Sequence, residues 1–110
     1  MGLTKTEIFN EEQNQLAIAL KAIAHPARIA ILQQIIAAKA CICGDLALEL
    51  GLAQATISQH LKELKTAGII KGTIEGVSVC YCINDEVWNK LGTQLGSFFA
   101  SYGVSAKTCC

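Results

Sequence analysis

GDLALELGLAQATISQHLKELKTAGIIKGTIEGVSVCYCIN, residues 44–84, reads as two short helices joined at a glycine and followed by a hairpin. Asp45 stands where a helix N-cap belongs and Gly51 where a helix ends. In residues 53–68, Ile57, Leu61 and Leu64 fall on one helical stripe, and Gly68 stops the helix. The opposite side carries Ala55, Gln59, Lys62 and Thr66, with Thr56 and Ser58 at its edges. His60 leans toward the apolar stripe, which suits a packing or phosphate contact better than base readout. Residues 69–84 are rich in isoleucine and valine and break at Glu75-Gly76, the pattern of a β-hairpin.

Working outward, Phe9, Leu16, Leu20 and Ile23 recur at helical spacings before His25-Pro26. Proline disfavours helix at the residue before it and suits the first position of a new one. His25 is therefore expected at a helix boundary, with a second helix after it whose Ile29, Leu32, Ile35 and Ile36 face inward. Downstream of the hairpin, Trp88, Leu91, Leu95, Phe98 or Phe99, and Tyr102 form a stripe larger than a small domain can cover alone. The order predicts a mainly α winged helix-turn-helix fold of five helices and a two-stranded wing. Residues 1–110 are expected to form a single domain, with 103–110 a flexible cysteine-bearing tail. A helix whose outer face bears Gln54, Thr56, Ser58, Gln59 and Lys62 fits the major groove of DNA, where amides and hydroxyls read base edges and lysine meets phosphate.

Composition sets limits on function. At 110 residues and 52% hydrophobic, the chain carries more apolar surface than one small domain buries, so a homodimer is expected. No run approaches the roughly 18 apolar residues of a membrane span, and the first residues lack a basic segment followed by an apolar one; the expected setting is cytoplasmic. Zero net charge argues against strong non-specific affinity for nucleic acid. Six cysteines in such a chain point to metal, metalloid or redox chemistry more than to a disulfide scaffold. No Cys-x-x-Cys and no nucleophile and base constellation is present, which argues against a thiol oxidoreductase and makes enzymatic activity improbable.

Five pieces stand in sequence order: His25-Pro26-x-Arg28, Cys41-x-Cys43-x-Asp45-Leu46, Thr56-x-Ser58-x-His60-Leu61-Lys62-x-Leu64, Ala67-Gly68 and Glu75-Gly76. With these, residues 14–84 resemble the ArsR/SmtB family of bacterial metal-sensing repressors. The resemblance implies a homodimer packed through its first and last helices, bound to an inverted-repeat operator in double-stranded DNA and released by an effector. Gln54, Thr56, Ser58 and Gln59 become contacts to base or backbone, Lys62 and Lys71 contacts to phosphate, and His60 a packing or phosphate contact. Two departures stand out. Ala53 replaces the family's usual serine cap, and the wing carries Lys71 but no arginine.

In this family Cys-x-Cys before the third helix marks a thiolate site, which makes As(III) or Sb(III) the expected effector and Cys41 and Cys43 its ligands. No cofactor is required. Thiolates also accept Cd(II), Pb(II) and Zn(II). Residues two apart on a regular helix do not share a face, so Cys41 and Cys43 converge on one ion only where the helix start is distorted or extended. A third thiolate must come from elsewhere. Cys109 and Cys110 on the mobile tail are the first choice; Cys80 and Cys82, on one face of a wing strand, compete. A disulfide or polysulfide switch among the same cysteines is the alternative signal.

Overall fold

The computed structural model describes residues 8–39, 41–43, 51–75 and 78–103. The side chains of Cys43 and of residues 73–75, 78 and 79 lie outside that description, as do residues 44–50, the site of the expected third helix, and residues 104–110 of the tail.

Helix α1 spans Glu11–Ile23 and α2 spans Pro26–Ala38, the two meeting at a 90° bend. The bend follows from local chemistry. Pro26 opens α2 at its first turn, and His25 is extended and caps it, its Nδ1 accepting from the Ala27 N–H at 3.0 Å. Asn10 starts α1 with a reciprocal capping box to Gln13. Helix α3 spans Gln54–Thr66 and closes on Gly68, whose φ of 82° only glycine adopts without strain. The Ile69 N–H reaches Leu64 O and the Gly68 N–H reaches Lys65 O, the paired bonds of a Schellman stop. The chain then forms β2, Ile70–Glu75, and β3, Ser78–Ile83, an antiparallel hairpin whose register runs from Ile70↔Ile83 to Glu75↔Ser78. Asn84 caps the last helix, α4, Asp85–Ala100.

Ile57, Leu61 and Leu64 of α3 pack on Ile31, Leu32 and Ile35 of α2, with Ile69 and Ile70 closing the core beneath the hairpin. The expected stripe of α3 is thus its buried face. The expected inner face of α2 needs correction: Ile29 is 45% and Ile36 48% exposed in the single chain, while Ile31 is fully buried. PARIAILQQIIAA is apolar on nearly every side, so its spacing does not single out one face.

The sheet has a third strand that the sequence does not announce. Ile42–Cys43 forms β1, which pairs antiparallel with β3 and makes the sheet β1-β3-β2. Cys41-x-Cys43 is therefore extended, and its period of two places both cysteine positions on one face.

Candidate nucleic-acid interface and thiol cluster

Gln54, Thr56, Ser58, Gln59 and Lys62 are all exposed on α3, and Lys71 is exposed at the start of the wing. Gln59 Nε2 donates to Glu63 Oε2 at 3.2 Å, so its amide lies along the helix surface. Lys65, absent from the expected contacts, extends its Nζ over Gly72: a Cβ there would sit 3.3 Å away. That puts a third lysine of the region beside the root of the wing. Nothing in the spacing of Lys65 points to it.

His60 occupies the other side of the same helix. It is 8% exposed, and its Nδ1 accepts from Arg28 Nε at 3.0 Å, while another Arg28 nitrogen donates to Ala22 O at 2.9 Å. His60 thus packs on the side of α3 away from the exposed Gln54, Thr56, Ser58, Gln59 and Lys62. Accepting at Nδ1 requires that atom to be unprotonated. Burial, with the His25 ring 4.5 Å away and the Arg28 charge, lowers its pKa below the ordinary value. His25, the helix cap, and His60 thus form a ring pair that joins the α1–α2 bend to the buried side of α3.

The thiols meet on the sheet. Cys41 and Cys82 are joined by a disulfide with Cα atoms 4.2 Å apart, the short spacing of a non-hydrogen-bonded antiparallel pair. One step along the ladder Ile42 faces Tyr81, and at the next Cys43 faces Cys80. Cys80 is 2% exposed and is also disulfide-bonded. The four cysteine positions therefore lie together on one face of β1 and β3. Cys41 and Cys82 help line a cleft of about 420 Å³, together with Ile35, Ile36, Lys39, Asp85 and Trp88. Cys109 and Cys110 fall outside the described residues. Among the described residues no group of three or more His, Cys, Asp or Glu side chains is placed to hold a metal ion.

A helix-turn-helix domain family matches residues 23–73. The HTH-type transcriptional repressor SmtB of Mycobacterium tuberculosis H37Rv is 41% identical over 67 residues, 61% of this chain and 49% of that protein, so the match spans about half of that relative. The Biofilm growth-associated repressor of Agrobacterium fabrum is 32% identical over 87 residues, 79% of this chain and 74% of that protein. Among solved structures, the ArsR family transcriptional regulator RHA00566 shares the fold at a TM-score of 0.68, with 21% identity over 87% of this chain and 96% of that one. Together with the helix-turn-helix, hairpin and closing helix described above, these likenesses place the chain in the ArsR/SmtB family of winged helix-turn-helix transcriptional regulators.

Proposed function

We propose that the chain acts as a homodimeric repressor that reads an inverted-repeat operator through α3 and leaves it when a thiophilic metal(loid), As(III) or Sb(III) first, engages Cys41 and Cys43. The observation that carries this reading is the position of β1. Its cysteines lie across from Cys80 and Cys82, and it directly precedes the segment that runs into α3. A ligand that pulls β1 toward β3 acts on the approach to the reading helix and, through β3, on the start of α4. Gln54, Thr56, Ser58 and Gln59 read or brace the groove, and Lys62 and Lys71 hold phosphate. Phe99 and Tyr102 are 67% and 76% exposed in the single chain, and with Phe9 and Ile18 they supply apolar surface for a partner subunit.

The reduced protein should bind an operator whose half-sites are about 34 Å apart and release it on adding arsenite. Gln59→Ala should lower discrimination between operator and random DNA, and Lys62→Ala should weaken both and flatten the salt dependence. Arsenite without effect on the reduced protein, in a Cys41→Ser/Cys43→Ser variant and wild type alike, would remove the metalloid reading.

The Cys41–Cys82 disulfide favours a second reading, in which oxidation itself is the signal. The same operator assay separates them. In the absence of any metal, release by an oxidant and recovery with a phosphine reductant supports the redox switch, and unchanged binding removes it.

A further inference from the structure

Lys39 stands two residues before Cys41, and Asp85 three residues after Cys82. Because β1 and β3 run antiparallel, the chain entering the one and the chain leaving the other lie at the same end of the sheet. The Cys41–Cys82 disulfide, with Cα atoms 4.2 Å apart, is therefore flanked by one cation and one anion. Both charges and both sulfurs line the same cleft of about 420 Å³, a volume in the range of small-molecule sites, with Ile36 and Trp88 supplying apolar surface. Lys39, Cys41 and Asp85 are exposed and Cys82 is half-buried. Among the described residues, the side chains of Lys39 and Asp85 have no hydrogen-bond or ion-pair partner. Two opposite charges left open beside a reducible bond complement a molecule that carries an anion, a cation and a thiol close together.

We infer that this cleft recognises a small zwitterionic amino-acid thiol of the cysteine class, Lys39 taking its carboxylate and Asp85 its ammonium, and brings its sulfur to the Cys41–Cys82 disulfide. The inference rests on the oxidation reading above and supplies the reductant that resets the switch. The ligand's thiolate attacks Cys41 Sγ, which belongs to the more exposed of the two residues. A mixed disulfide forms at Cys41, and the electron pair of the old S–S bond leaves with Cys82, which picks up the proton that the ligand's thiol gave up. A second molecule of the thiol attacks the ligand's sulfur in the mixed disulfide and displaces Cys41 as a thiol in the same way. The sum is two cysteine thiols in the protein and one molecule of the ligand's own disulfide, a transfer of two electrons. Cys80, 2% exposed and in a disulfide of its own, is shielded from this attack, so reduction begins at the cleft.

The test is the rate at which the oxidised full chain loses the Cys41–Cys82 bond, read by alkylation and mass spectrometry. Four thiols are compared: cysteine, 3-mercaptopropionate without the ammonium, cysteamine without the carboxylate, and neutral 2-mercaptoethanol. Each rate is divided by that thiol's rate with hydroxyethyl disulfide, which removes differences in thiolate fraction and nucleophilicity. Cysteine should be fastest, by roughly tenfold over 2-mercaptoethanol, since each exposed ion pair is worth a factor of about two to five. Lys39→Met should abolish the advantage of cysteine over cysteamine, and Asp85→Asn its advantage over 3-mercaptopropionate. Both side chains are exposed, so neither change threatens the fold. Equal normalised rates for the four thiols, or ratios that both variants leave as they were, would overturn the site. Operator binding is followed in parallel. Recovery of binding with all four thiols alike keeps the redox reading and overturns the site, whereas the charge-dependent order without any change in operator binding keeps the site and removes the redox reading.

Discussion

Helix α3 and strand β1 sit close to each other in sequence, yet they are held in place by different means. Thirteen residues of α3 present Ile57, Leu61 and Leu64 to the core, and Arg28 bonds to its His60 from behind. β1 is two residues long and pairs with a single neighbour, β3. The Cys41–Cys82 disulfide at its start ties it to β3, and Ile42 alone brings an apolar side chain against the edge of the core. A reading surface fixed by a core is insensitive to small ligands, and a strand fixed by its sulfurs is sensitive to whatever binds sulfur. The pairing of a rigid reader with a chemically set approach segment is what the proposed switch requires.

The sharpest way to break this contrast is at the core. Leu64 is fully buried at the α3–α2 contact, and Leu64→Ala should cost about 2–5 kcal/mol of unfolding stability, seen in denaturant titration. A loss under about 1 kcal/mol, well below that range, would mean that α3 is not positioned by its stripe. Reduction comes next. It opens the Cys41–Cys82 bond, which closes a span of 41 residues, together with the bond at Cys80, and should cost at least about 2–4 kcal/mol, chiefly by freeing the unfolded chain. The same treatment should leave the helical circular dichroism of the folded state unchanged, since α3 does not hang on β1.

Much of α3 and little of β1 is legible in the sequence, for a physical reason. Periodicity reports a face only when one side is apolar and the other is not. α3 meets that condition; α2 does not, and its spacing therefore puts the outward Ile29 and Ile36 on the wrong side. A two-residue strand has no period to display. The hint lies in the matching alternation of Cys41-Ile42-Cys43 and Cys80-Tyr81-Cys82, which fits two strands facing each other but becomes decisive only once the register is known. The Schellman stop at Gly68 and the helix cap at His25 are readable because glycine and the residue before proline have few alternatives.

A smaller effect is expected behind the reading helix. Arg28→Ala leaves His60 and Ala22 O without their donor and should cost about 1–3 kcal/mol. His60 adds a pH dependence whose direction follows from its lowered pKa. As pH falls through about 6.5, the unfolded chain takes up a proton that the folded chain refuses. Unfolded protein then binds more protons, so stability declines from that point down to the lower folded pKa and levels off beneath it. His60→Gln, which keeps an acceptor for Arg28, should flatten this part of the stability–pH curve. An unchanged slope in the variant would assign the decline to other groups.

The smallest change sharpens the comparison from the α3 side. Asn10, His25 and Asn84 each cap a helix with a side-chain acceptor, whereas Ala53 caps α3 with none, although its φ of −65° and ψ of 146° are those of a cap residue. Ala53→Ser places a hydroxyl where it can accept from the N–H of Ala55 or Thr56, and should add about 1 kcal/mol. For a chain of this size that corresponds to a rise in Tm of roughly 4 °C. The added hydroxyl would stand between the approach segment and the reader. If core packing, not β1, positions α3, the rate at which a phosphine reduces the Cys41–Cys82 disulfide should stay at its wild-type value while Tm rises. A reduction rate that changes severalfold with the cap would show that the start of α3 and the sulfur ladder move together, and the division between rigid reader and chemically set strand would then have to be drawn nearer to the middle of the helix.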